Sequence, residues 1–166
     1  MTQKQKPPRF DHLMSLLGQL NYTWTNTESI LIHLIAGLSK TDKETAVVIF
    51  LTLNTTRARV DLVERLAKLK NTPVEQRDAV LPLTRMVVKL SSLRNHYNHS
   101  IYAFDPDTGA ARTIKMRIAD RKTNIKVGQA SDIDADAIAE IEMALTEIAQ
   151  LNRDFWDVVH KFDYPT

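Results

Sequence analysis

The sequence predicts a mostly α-helical protein, an up-and-down helix bundle with a small antiparallel β-hairpin or meander inserted before its last helix. Three observations predict it. Apolar residues recur at helical spacing over most of the chain. Strand-period alternation is confined to a short stretch, where Ile114, Met116 and Ile118 alternate with Thr113, Lys115 and Arg117. The last stretch carries Ile138, Ile141, Leu145, Ile148, Asn152, Phe155, Val159 and Phe162 in alternating steps of three and four, a coiled-coil-like seam with Asn152 as its one polar member.

Residues 1–9 are polar, end in Pro7-Pro8 and read as a disordered tail; residues 10–166 read as a single domain. From Asp11, the residues Leu13, Leu16, Leu17, Leu20 and Trp24 form one helical stripe, and Ile30, Leu31, Leu34, Ile35 and Leu38 continue it. The pattern suits one long helix or two stacked ones. Thr41-Asp42-Lys43-Glu44 has the form of a capping box and starts another helix, although the β-branched run AVVIFLTL would also suit a strand. Asn54-Thr55-Thr56 is a candidate break within that stretch. Thr72-Pro73-Val74-Glu75 is a second capping box, opening a helix that runs to about His99 with a kink expected near Pro82.

Residues 100–128 form the β insert. Asp105-Pro106-Asp107-Thr108-Gly109 is a turn cluster, and Ile125 and Val127 mark a partner strand. The meander is expected to have one apolar and one basic face. Ser131-Asp132 opens the last helix, which must pack against an equally long partner, the N-terminal helix or a second copy of the chain.

The 166 residues include no cysteine, which removes thiol nucleophiles, zinc fingers and disulfide frameworks and points to a reducing, cytoplasmic setting. The longest apolar runs, 30–35 and 46–51, fall far short of the roughly 18–20 residues of a membrane span, so no membrane partner is expected. Net charge is only +2, but it is unevenly spread. Arg112, Lys115, Arg117, Arg121, Lys122 and Lys126 cluster against a single acid, Asp120, while the start of the last helix is acidic. The four glycines form no phosphate-binding loop, and no Gly-x-Ser-x-Gly nucleophile motif is present.

The chemistry-bearing signal is Arg94-Asn95-His96-Tyr97-Asn98-His99. Arg94 continues the apolar stripe of Leu83, Val87 and Leu90, so a permanent cation stands where burial is expected. It therefore meets a carboxylate, lines a cleft or faces a subunit interface. Asn95 and His99 share a helix face. Arginine, amide and imidazole within about one and a half turns suit cleavage of an RNA phosphodiester. There the 2′-hydroxyl is the nucleophile, His99 serves as acid or base, and Arg94 stabilises charge on phosphorus. The plainer alternative pairs Arg94 with an Asp or Glu and uses His99 to cap the helix C-terminus. His96 and His99 are also spaced to share a metal, but no third ligand is evident; metal and cofactor are both read as none. Tyr97 reads as core, and His12, His33 and His160 as satisfied surface or core-edge residues.

Arg-polar-x-x-x-His at the end of a long helix resembles the signature of HEPN domains, with Arg94, Asn95 and His99 in the arginine, polar and histidine positions. The resemblance implies a dimeric helical bundle and a metal-independent endoribonuclease whose composite site joins two copies of the motif, in toxin–antitoxin or phage-defence settings with an antitoxin partner. It also implies the other known use of the fold, a catalytically silent module that binds RNA, a nucleotide or a protein. One toxin subgroup carries Tyr two residues after the His; here that position is Ile101, and Tyr102 follows it. With RNA as substrate, His96 would line the site, and Lys115, Arg117, Arg121 and Lys122 would hold the backbone. Otherwise those charges are a solvated sheet edge.

Overall fold

Helix-start chemistry divides the chain more finely than periodicity does. The computed structural model describes residues 8–105, 107–120 and 122–166. Among them are α1 (Pro8–Ser29), α2 (Leu31–Ser39), α3 (Lys43–Thr52), α4 (Thr56–Ala67) and α5 (Val74–Asn98). The strands β1 (Ser100–Phe104), β2 (Ala111–Asp120) and β3 (Ile125–Asp132) follow, and α6 (Ala135–Lys161) is the last helix. It is a helix bundle with a small antiparallel sheet before its last helix, the expected class. The expected tail falls largely on residues 1–7, outside the described residues; Pro8 already stands at the first position of α1, where its missing N–H is harmless.

The long N-terminal stripe is two helices. It breaks at Ile30, whose N–H bonds to Thr27 O at 3.2 Å. The next start is capped by Asp42, not Thr41. Asp42 Oδ1 accepts from Thr45 N at 2.8 Å and Oδ2 from Thr45 Oγ1 at 2.9 Å, because a carboxylate can take both donors. The β-branched run is helical, as its cap dictates. Thr55 Oγ1 accepts from Ala58 N at 3.1 Å and starts α4, so Asn54-Thr55-Thr56 does divide the stretch. Thr72 makes no capping box: its hydroxyl turns back to Leu66 O at 2.8 Å, and α5 begins at Val74. Pro82 lies exposed within α5, which continues past it.

The sheet has the order β1-β2-β3, both pairs antiparallel. Residues 101–104 are therefore a third strand. β3 runs to Asp132, so α6 starts later than the sequence suggests. Asp134 is its cap, with Oδ1 accepting from Ala137 N at 2.9 Å. The two sheet faces also differ from expectation. Opposed residues share a face; the inner one carries Tyr102, Phe104 and buried Thr113, with Lys115 half-buried beside them. Ile101, 50% exposed, and its partner Ile114 lie on the other face, with the exposed Arg112–Asp132 ion pair (2.7 Å). Aromatic and hydroxyl residues, not Ile101 and Ile114, pack inward, because Phe104 meets Phe10 edge-on at 4.4 Å and Tyr102 reaches α5.

The chain forms two compact units. The first comprises residues 1–21 and 93–145; the second comprises 22–92 and 146–166. In the first, Leu13, Leu16, Leu20, Tyr97, Ile141 and Ala144 are buried together with the inner sheet face. In the second, Trp24, Leu31, Leu34, Val60, Val63, Val87, Ile148 and Phe155 are the buried apolar set. There, Glu28 accepts from Trp24 Nε1 at 3.2 Å and pairs with Arg59 Nη1 at 3.1 Å, and the Arg59 guanidinium lies 3.9 Å over the Phe50 ring. The α6 seam is spent within the chain. Ile141, Ile148, Phe155 and Val159 are each buried, and Asn152 donates to Thr27 Oγ1 of α1 at 3.1 Å. The seam is thus covered within the chain and is no argument for a second copy.

Candidate functional site

The last turn of α5 and the first residue of β1 position the motif, all of it within the first unit. A helix end leaves carbonyls without intrahelical donors, and three of those here are answered. Asn95 O accepts from His99 N at 3.1 Å, His96 O from Ser100 Oγ at 2.6 Å, and Tyr97 O from the Tyr102 hydroxyl at 2.6 Å. Backbone and strand hydroxyls thus cap the helix, and the imidazole of His99 does not. His99 is exposed, and its ring has no hydrogen-bond or ion-pair partner among the described residues. Tyr102 spends its hydroxyl on this cap. Burial pushes its phenol up to about 12, with Tyr97 alongside adding to the shift.

Arg94 is half-buried, and its partners are amides. Its Nη1 donates to Asn95 Oδ1 at 3.1 Å. The side chain of Asn98 lies between Arg94 and Asn21 of α1. With the amide oxygen turned to the guanidinium, as the surrounding donors require, Arg94 Nε and Nη2 donate to it at 2.8 and 3.0 Å. The Asn98 amide also faces the Asn21 amide, its oxygen 2.6 Å from one Asn21 terminal atom and its nitrogen 3.0 Å from the other; with the Asn21 amide oriented to donate to that oxygen, the two amides pair reciprocally. Among the described residues no carboxylate pairs with Arg94. Of the alternatives open to a stripe arginine, pairing with an Asp or Glu is therefore not the one found. The guanidinium keeps its full charge, and one N–H on each terminal nitrogen is left over.

The structure brings Arg94, Asn95 and Asn98 together, but no hydrogen bond joins the Arg94 guanidinium to the His99 ring. Tyr97 is core, 4% exposed, as expected. His96 packs its ring edge-on against Tyr97 at 4.9 Å and has no third metal-ligating neighbour among the described residues. Lys115 sits across from Ser100 in the β1–β2 register, one residue from His99. Lys122 is exposed; the Arg117 side chain and Arg121 lie outside the described residues. His33 is a satisfied core-edge residue, its Nδ1 2.7 Å from Pro165 O. A cavity of about 230 Å³ in the same unit, lined by His12, Leu13, Ile133, Asp134 and Ile138 among others, takes no side chain from the motif.

Sequence reasoning missed Asn21 and Asn98. Asn98 lies inside the motif at four residues from Arg94, a spacing that faces it on a helix. Nothing local marks Asn21, which meets them only through the packing of α1. Comparison with known proteins finds no matching family model, no similar curated protein and no similar solved structure.

Proposed function

We propose that the chain is a metal-independent endoribonuclease of the HEPN type. Arg94 binds and stabilises the scissile phosphate, His99 moves the proton as general acid or base, and Asn95 helps hold Arg94. One observation carries the reading: a half-buried guanidinium, held by amides and neutralised by no carboxylate among the described residues, stands five positions from an exposed imidazole freed of capping duty. A fixed cation without a counter-charge is matched to an anionic ligand, and RNA supplies its own nucleophile. Lys115 adds a second cation next to His99 in the sheet register. No hydrogen bond joins Arg94 to His99 within one chain, and in this reading the motif of a second copy completes a composite site, as the resemblance implies.

That separation also favours a second reading, a silent RNA- or nucleotide-binding module in which Arg94 binds phosphate and His99 is a bystander. RNA cleavage in excess chelator separates the two. Wild type should leave 2′,3′-cyclic phosphate ends, and Arg94→Ala and His99→Ala should each abolish cleavage. Cleavage retained in both variants rejects the first reading. Salt-sensitive RNA binding without scission selects the second. An antitoxin partner belongs to the first reading and is tested by whether a co-expressed neighbour protein suppresses cleavage.

A further inference from the structure

Arginine is a long, freely rotating side chain, and a site that uses it must restrict it. Carboxylates are the usual means, but a carboxylate cancels the charge that the ligand needs. Arg94 is restricted differently. Its Nε and Nη2 share one amide oxygen of Asn98, at 2.8 and 3.0 Å, and its Nη1 is taken by Asn95 at 3.1 Å. Asn98 is in turn held by the Asn21 amide of α1, which faces both its oxygen and its nitrogen, at 2.6 and 3.0 Å. The chain of contacts therefore runs from α1 through two neutral amides to the guanidinium.

We propose that Asn98 and Asn21 are positioning residues for Arg94, fixing its guanidinium through neutral amides so that its undiminished charge and its spare N–H groups receive a phosphate-type oxyanion. The inference rests on reading Arg94 as an oxyanion receptor, the premise of the proposed function. Neutrality is the critical element. Aspartate at position 98 has the same shape and would hold the guanidinium at least as firmly, but would compete with the ligand for its charge. The amide acts only by orienting. Asn21 gives Asn98 a fixed orientation, since an amide with an unengaged nitrogen is free to turn its oxygen away.

The test uses the full chain, with inorganic phosphate and a short single-stranded RNA as separate probes. Binding of each is measured beside the ¹⁵N signal of the Arg94 Nε–H. In wild type that signal should be protected from exchange and should shift on adding phosphate or RNA. Asn98→Ala and Asn21→Ala should lose the protected signal and bind on the order of tenfold more weakly, the scale of one charge-assisted hydrogen bond. Asn98→Asp should keep the protected signal and the fold yet lose affinity to a similar degree, which a merely structural role would not produce. Unchanged affinity in folded Asn98→Ala, wild-type affinity in Asn98→Asp, or a wild type that binds neither probe overturns the proposal. Binding of RNA without phosphate supports it with the polymer backbone as the source of the oxyanion; binding of both supports it with a free oxyanion sufficing. A wild type that binds through Arg94 and Asn98 but cleaves no RNA rejects the ribonuclease reading alone. Cleavage that depends on Arg94 and His99 but ignores Asn98 and Asn21 rejects the positioning role alone.

Discussion

The hydroxyl of Tyr102 donates to the carbonyl oxygen of Tyr97 at 2.6 Å, spanning the turn that carries His99. With the Ser100 hydroxyl on His96 O, this bond closes the end of α5 onto the first residues of β1 and fixes where the imidazole leaves the backbone. Tyr102→Phe leaves the Tyr97 carbonyl without its donor and should cost about 1–2 kcal/mol in stability, read from denaturant unfolding. If His99 acts on RNA, the same change should lower the cleavage rate more than it weakens RNA binding. A variant as stable as wild type would show that the cap is dispensable.

The buried phenols make the fold sensitive to base. Burial pushes Tyr97, Tyr102 and Tyr164 each up to about 12, and nearby Glu140 and Asp134 add to the shift at Tyr97. The native chain thus keeps protons that the unfolded chain releases near pH ~10. Their contribution to stability is complete below about pH 10, declines as the pH rises and is gone above about 12. The unfolding midpoint should fall across that window as tyrosinate absorbance grows. A flat midpoint there would contradict the burial of these rings.

Glu28 and Arg59 form an ion pair at 3.1 Å, with side chains 11% and 18% exposed respectively. Removing one partner strands the other, and Glu28 also accepts from Trp24. Glu28→Ala or Arg59→Ala should destabilise by about 3 kcal/mol, while replacing both should cost less than the sum of the two. Strict additivity in a double-mutant cycle would contradict the coupling.

Gly37 is a glycine because the ring of Tyr164 lies where its Cβ would be. Gly37→Ala should therefore cost about 1–3 kcal/mol. In a Tyr164→Ala background the same substitution should be nearly neutral, because the obstructing ring is gone. An equal cost in both backgrounds would place the penalty elsewhere.

The class of fold was legible because helical and strand periods are local properties of the sequence. The stripe from Leu13 to Leu38, the alternation around Ile114 and the seam from Ile138 each report one buried face without reference to any partner. Which residue caps a helix was less legible. Asp42 displaced Thr41, and Asp134 displaced Ser131, because a cap is chosen by which oxygen meets the free N–H groups and not by residue type alone. The inward face of the sheet was not legible for a related reason: alternation shows that two faces exist, but only the hydroxyl of Tyr102 and the ring of Phe10 decide which packs inward.

The candidate site divides along the same line. By itself, the sequence determined that Arg94 lies on a mainly buried stripe and that Asn95 and His99 share a helix end, because both follow from helical geometry alone. Tertiary structure decided the rest. Packing of α1 brings Asn21 to Asn98, which gives Arg94 a neutral hold in place of a carboxylate. The return of β1 over the end of α5 brings the Ser100 and Tyr102 hydroxyls to carbonyls that His99 would otherwise have been free to cap. The physical reason is that hydrogen-bond partners distant in sequence are chosen by how elements pack, and no local pattern of residues encodes them.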